Sequence, residues 1–122
     1  MIGLTVALLL AALAYPAYTA QLRSSRRVDG QQGLQALAAR LEQHHQRWGV
    51  YGGPGTGPGG WPDEASPAGH YRLQVLAATG EGYRLAAVPV GSQTADACAT
   101  LTYDHLGRTG SSAPTTVGRC WP

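Results

Sequence analysis

The chain has 122 residues, a formal net charge of +2 and nine basic residues, every one an arginine. That length supports one small domain with a thin core, roughly 75–95 residues once an apolar N-terminal stretch is set aside, and excludes an enzyme cleft with a separate lid. So mild a positive balance permits contact with acidic partners without arguing for one, and the absence of lysine rules out a lysine-dependent phosphate loop.

The chain opens on an apolar run from Ile2 to Ala14, and no charge precedes Arg23. Tyr15-Pro16-Ala17-Tyr18 closes the run, and Arg23, Arg26 and Arg27 follow. Leu34, Leu37, Leu41, His44 and Trp48 then step by three, four, three and four, which places them on one helical face. Both halves fit a single long helix, apolar all round at first and amphipathic later. An all-round apolar half belongs in a membrane or among its own kind. Pro16 should kink or locally open the helix, because it removes a backbone hydrogen bond and crowds the preceding turn. Gly30 and Gly33 should weaken the second half, and Gly49 is a reasonable stop.

Two features of the N-terminus pull against a simple membrane span. The apolar run is short of the roughly 20 residues a spanning helix needs. The basic flank at Arg23, Arg26 and Arg27 would also favour the cytoplasmic side, which conflicts with a disulfide downstream. A cleaved secretory signal is the competing reading of residues 1–20, since Ala17-Tyr18-Thr19-Ala20 ends in a small residue, but no basic segment stands behind Met1.

Residues 52–69 are rich in glycine and proline and read as a long surface loop, tied down by Trp61. Gly55, Gly57 and Gly60 imitate a dinucleotide fingerprint, but no strand precedes them, no helix follows, and Pro58 interrupts them. Next, Tyr71, Leu73 and Val75 alternate on one face of a strand, and Tyr83, Leu85 and Ala87 do so on another, with Thr79-Gly80-Glu81-Gly82 as the turn between. A third run puts Ala99, Leu101 and Tyr103 on one face, and residues 105–110 form the next turn. The expected fold is α+β, a long N-terminal helix packed on a three- to four-stranded antiparallel sheet.

Cys98 and Cys120 lack metal-ligand spacing. Paired, they would close a loop worth about 3 kcal/mol in the chain-entropy model; unpaired, they would be two buried thiols of a cytosolic protein. The membrane-type N-terminus favours the pair.

The search for chemistry yields no catalytic residues, no cofactor site and no metal site. His44 and His45 are adjacent, point about 100° apart on a helix and cannot act as a metal pair; His44 reads as a packed, hydrogen-bonded residue. Asp104-His105 with Ser111 or Ser112 imitates a triad in composition only. Arg72 and Arg84 fall on the sheet face opposite the tyrosines, and Arg108 and Arg119 lie in or beside the cysteine-closed loop. Four such arginines read first as a solvated face and second as contacts to DNA phosphates.

The order of these features resembles type IV pilins, in particular PilE-like minor pilins. The family's apolar helix carries a similar Tyr-Pro-Ala-Tyr step, then a basic Ser-containing patch, here Arg23-Ser24-Ser25-Arg26-Arg27, then an amphipathic half with an aromatic end, here residues 34–51. Two Tyr-led strands and a C-terminal cysteine pair continue the likeness. In the family, a short basic leader and a Gly-Phe cleavage point precede a glutamate near the helix start. Laid against that pattern Met1 falls just after the glutamate, so a start upstream of Met1, with a basic leader, would restore both length and orientation. The resemblance implies that residues 1–25 form a membrane or filament-core half. Residues 26–122 would form a head of amphipathic helix (26–49), Gly/Pro loop (50–69), and sheet with disulfide loop (70–122). It further implies a structural, non-enzymatic subunit held in the inner membrane with its head in the periplasm until assembly with other pilins, contributing to adhesion or twitching motility. In pilins the segment around Pro16 can unwind as helices pack. A pilin-like receptor for extracellular DNA and a type II secretion pseudopilin are the alternatives, with DNA the less expected partner.

Overall fold

The computed structural model describes residues 2–55, 58–114 and 119–122. Helix α1 (Ile2–Trp48) is a single rod of 47 residues, about 70 Å long at 1.5 Å per residue. It runs through Pro16 and ends at Gly49, whose φ of 77° suits a glycine and whose N–H donates to the His45 carbonyl at 2.7 Å.

Among the described residues, the hydrogen bonds and core contacts that join α1 to the strands and their loops begin at Arg23. Five strands, β1 (Glu64–Ala65), β2 (Tyr71–Ala78), β3 (Tyr83–Pro89), β4 (Leu101–Asp104) and β5 (Thr109–Ser111), pair antiparallel in sequence order. Alternation then decides the core: Tyr71, Leu73 and Val75 of β2 and Tyr83, Leu85 and Ala87 of β3 face α1, with Leu101 of β4 beside them. Leu34, Leu37, Ala38 and Leu41 close the layer from the helix side. The β2–β3 turn forms as expected, with the Thr79 hydroxyl accepting the backbone N–H groups of Glu81 and Gly82 at 3.2 Å.

Four expectations change. The sheet has five strands rather than three or four, because Glu64–Ala65 and Thr109–Ser111 are edge pieces of two and three residues, too short to show an alternating pattern. Ala99 does not share a strand face with Leu101; it stands at φ 55°, and β4 begins only at Leu101. Trp48 is 65% exposed, since the helix leaves the sheet after Leu41 and His44. Gly30 and Gly33, expected as weak points, are where helix and sheet touch. A Cβ at Gly30 would meet the Tyr71 ring at 2.9 Å, and one at Gly33 would meet Leu73 at 3.0 Å.

Candidate functional site

Among the described residues, the apolar run Ile2–Ala14 at the start of α1 packs against no strand of the sheet. Ile2, Leu4, Leu8, Leu9, Leu10 and Leu13 are all exposed, up to 83% at Ile2, and the helix is long and apolar enough to cross a membrane. Water is a poor solvent for such a surface, so it needs lipid or other apolar helices.

Where α1 reaches its charged turns, the head closes onto it through polar contacts. Arg27 makes a two-pronged ion pair with Asp96, Nε to Oδ2 at 2.8 Å and Nη2 to Oδ1 at 3.1 Å. Arg26 donates to the Ser92 hydroxyl at 2.8 Å. Gln93, fully buried in the short 3-10 turn Gly91–Ala95, donates to the Arg23 carbonyl at 2.9 Å and to the Tyr71 hydroxyl at 3.0 Å. One turn on, buried Asp29 accepts from the Ser66 hydroxyl and from the backbone N–H groups of Ala68 (2.7 Å) and His70 (3.1 Å). That carboxylate fixes the entry to β2 on the helix, and charge-assisted bonds of this kind are among the stronger ones.

Cys98 and Cys120 form a disulfide with Cα atoms 5.6 Å apart. The bridge delivers the C-terminal residues to α1: Gln31 Nε2 donates to the Cys120 carbonyl at 2.8 Å, and Arg27 Nη1 to the Arg119 carbonyl at 3.3 Å. The Trp121 indole donates to the Gly110 carbonyl at 2.8 Å and packs on Tyr103.

At the far end of the head, His44 donates from Nε2 to the Gly52 carbonyl (2.7 Å) and lies edge-on to Trp61, whose indole donates to the Tyr51 carbonyl at 2.8 Å. Trp61 thus ties the Gly/Pro loop to the helix; the glycine mimic at Gly55, Gly57 and Gly60 falls partly outside the described residues. Burial raises the ionisation of the Tyr51, Tyr71 and Tyr83 phenols above the usual tyrosine value.

The four arginines singled out from the sequence do not form one surface. Arg84 and Arg108 line a shared open concavity of ≈ 330 Å³ with Thr102, Tyr103, Asp104 and Thr109. Arg72 pairs opposite Val88, four residues along β3 from Arg84 and therefore about 13 Å away. Arg119 sits beside Arg27 on the helix side. Arg72 is answered by Asp63 at 3.1 Å and Arg108 by Asp104 at 2.8 Å; among the described residues, Arg84 belongs to neither pair. Burial pushes the Asp104 carboxyl up, but bonds from the Arg108 and Leu106 backbone and the Arg108 guanidinium outweigh it and hold the group below its usual value.

No catalytic geometry accompanies them. Ser111 pairs with Leu101 at one end of the β4–β5 ladder, whereas Asp104 and His105 lie at the other. Among the described residues, no three His, Cys, Asp or Glu side chains gather as metal ligands would. Asp29, Gln93 and Asp96 were not found from the sequence, although Asp29 borders the stripe traced back from Leu41 through Leu37, Leu34 and Gly30.

The sequence model of one family, described as type IV minor pilin ComP, DNA uptake sequence receptor, matches residues 16–102. Among solved structures, a type IV pilin from Shewanella oneidensis superimposes with a TM-score of 0.56 at 29% identity, over 82% of this chain and 98% of that one. No curated protein matches the chain.

Proposed function

This chain belongs to the type IV minor pilin ComP family, and from that premise we propose that it is a minor subunit of a type IV pilus. On this reading it is held in the inner membrane by the first half of α1, head in the periplasm, until it is built into the filament. Proteins of this family and fold are structural, not enzymatic. The observation that carries the reading is the bare apolar half of α1, continuous with a half whose other face is fully occupied by a sheet. Neighbouring pilin helices would replace lipid around Ile2–Leu13, and Pro16, which lacks a backbone N–H, would be the place where the rod yields as helices pack. The division proposed near residue 25 implies that residues 26–122 fold without the apolar half; deleting residues 1–25 should give a soluble, cooperatively melting head that never enters a filament.

The test is Leu9→Arg in the full chain. Filaments sheared from cells should contain the wild-type subunit and lack the variant, while the variant head remains folded. A variant that still enters sheared filaments would reject the packing role of this half.

A DNA-receptor role is the second reading, favoured by the family's description as a DNA uptake sequence receptor and by Arg84 beside Arg108. Against it, Arg72 and Arg108 already have acidic partners. If DNA binds through Arg72, Arg84, Arg108 and Arg119, affinity should fall with salt at a log–log slope of about −0.9 per phosphate contact. Micromolar binding near physiological salt that is lost on changing all four to Gln would establish the receptor; affinity weaker than about 10⁻⁴ M leaves the assembly role alone.

A further inference from the structure

Arg23, Arg26 and Arg27 come on the heels of the apolar half of α1, and the disulfide brings Arg119 to the same level through the Arg27–Arg119 carbonyl contact. Four arginines therefore gather as a basic ring at the base of the head, Arg119 being placed there through its backbone carbonyl. Their acid partner among the described residues is Asp96, which is spent on Arg27 and almost wholly buried. Pro122 lines the adjoining cleft of ≈ 210 Å³ with Ser24, Arg27, Arg119 and Trp121. Arg23 and Arg26 are left half-exposed and Arg119 exposed, with no acid bonded to them among the described residues.

Their depth along the helix is as informative as their charge. Tyr15 and Tyr18 are exposed, 72% and 65%, on a helix that is apolar from Ile2 to Ala14 apart from Thr5 and uncharged up to Arg23. Amphipathic rings gather at the edge of the hydrocarbon layer. Arg23 stands five residues above Tyr18, about 7 Å along the axis, which is roughly the thickness of one headgroup layer. With the tyrosines at the hydrocarbon edge, Arg23 lies at the level of the lipid phosphates, and Arg26 and Arg27 stand about 5 and 6 Å above it, a distance that a long flexible side chain spans.

We propose that this ring binds the phosphate headgroups of anionic phospholipids in the periplasmic leaflet while the subunit waits in the membrane. The inference rests on the membrane-anchored reading above. It also accounts for a basic flank on the translocated side, which orientation bias alone would disfavour: the guanidinium groups find compensating phosphate where they emerge. Gln93 holds the Arg23 backbone and Ser92 the Arg26 guanidinium, so the site is placed by the head and not by the helix alone. Leaving the bilayer for a filament would require these phosphates to be exchanged for another acidic surface or for water.

The experiment reconstitutes the full chain into vesicles of phosphatidylcholine containing phosphatidylglycerol and measures, with spin-labelled lipids, which headgroup is immobilised at the protein. Phosphatidylglycerol should be favoured by at least about fivefold, the effect of a single arginine near an anionic surface. Joint change of Arg23, Arg26 and Arg119 to Gln should bring selectivity close to one. Arg47→Gln, at the far end of the helix, should leave it unchanged and so excludes a general charge effect. Equal immobilisation of both lipids around an inserted chain overturns the proposal and spares the anchor; a chain that fails to insert overturns the anchor itself. Selectivity erased by millimolar inorganic phosphate, beyond the effect of equal ionic strength, would assign the ring to soluble phosphate. Selectivity erased by duplex DNA would assign it to nucleic acid. Either result contradicts the lipid site.

Discussion

Replacing Gly30 with alanine sets two known effects against each other. In an exposed helix the change would stabilise by about 1 kcal/mol, because alanine restricts the unfolded chain and favours helix. Here the new methyl would meet three atoms of the Tyr71 ring at 2.9, 2.9 and 3.1 Å, well inside the roughly 3.5–4.0 Å of a relaxed carbon contact. The ring has nowhere to retreat, since Tyr71 is fully buried and its hydroxyl is held by Gln93, itself anchored on the Arg23 carbonyl. The helix must lift from the sheet, and overpacking of this kind costs about 1–3 kcal/mol. With the obstruction at its root and not at a flexible tip, the upper part of that range applies and the net loss is about 1–2 kcal/mol. For a head of this size that lowers the melting temperature by roughly 4–15 °C. Gly33→Ala should cost less, because its methyl would meet the terminal methyls of Leu73 at 3.0 and 3.1 Å, and these can rotate. Thermal melts of the full chain in detergent, followed by near-ultraviolet circular dichroism, give the comparison. A Gly30→Ala protein that melts at or above the wild type would refute the close helix–sheet approach.

Changing Cys98 and Cys120 together to Ser should remove about 3 kcal/mol of stability, and in the wild type both thiols should alkylate only after reduction, read by intact mass. Asp29→Asn should destabilise by about 2 kcal/mol in denaturant melts, since the amide turns an N–H₂ group toward donors from Ser66, Ala68 or His70; wild-type stability would remove the carboxylate's role. Burial raises the ionisation of Tyr51, Tyr71 and Tyr83 from the ordinary 10.0. Their contribution is therefore complete below pH 10 and lost as pH rises beyond it. Their tyrosinate absorbance should emerge late and together with unfolding, and half-ionisation of these three phenols at pH 10 in a folded chain would contradict the packing.

The architecture was legible wherever a periodic pattern met a single buried face. Tyr71, Leu73 and Val75, then Tyr83, Leu85 and Ala87, occupy the core as their alternation required, and Leu34, Leu37 and Leu41 face them. Trp48 broke the pattern because periodicity states which face a residue shares, not how far along the rod the sheet extends. The glycines misled for a related reason: Gly30 and Gly33 count as helix weakeners until a partner surface is known to require their missing side chains. Strand β5 and the Gly91–Ala95 turn have too few residues to carry any period. The polar joints that place the arginine ring, Arg27 with Asp96 and Gln93 with Arg23, span 69 and 70 residues. Nothing local in the sequence marks such pairs, so a basic cluster could be seen but not its arrangement. Likewise Arg72, Arg84, Arg108 and Arg119 shared a charge and an outward direction, yet chain order said nothing of the distances between them.

A photo-activated cross-linker in place of Leu9, carried by the full-length protein in piliated cells, asks directly what covers the bare half of α1 in the filament. Sheared pili irradiated and separated by mass should yield an adduct of this chain with another pilin subunit through that position. The same cross-linker at Leu106, exposed on the β4–β5 turn of the head, should yield little of it. Sheared pili that contain no adduct at Leu9, or a subunit found only in the membrane fraction whether or not pili are present, would contradict the assembly role.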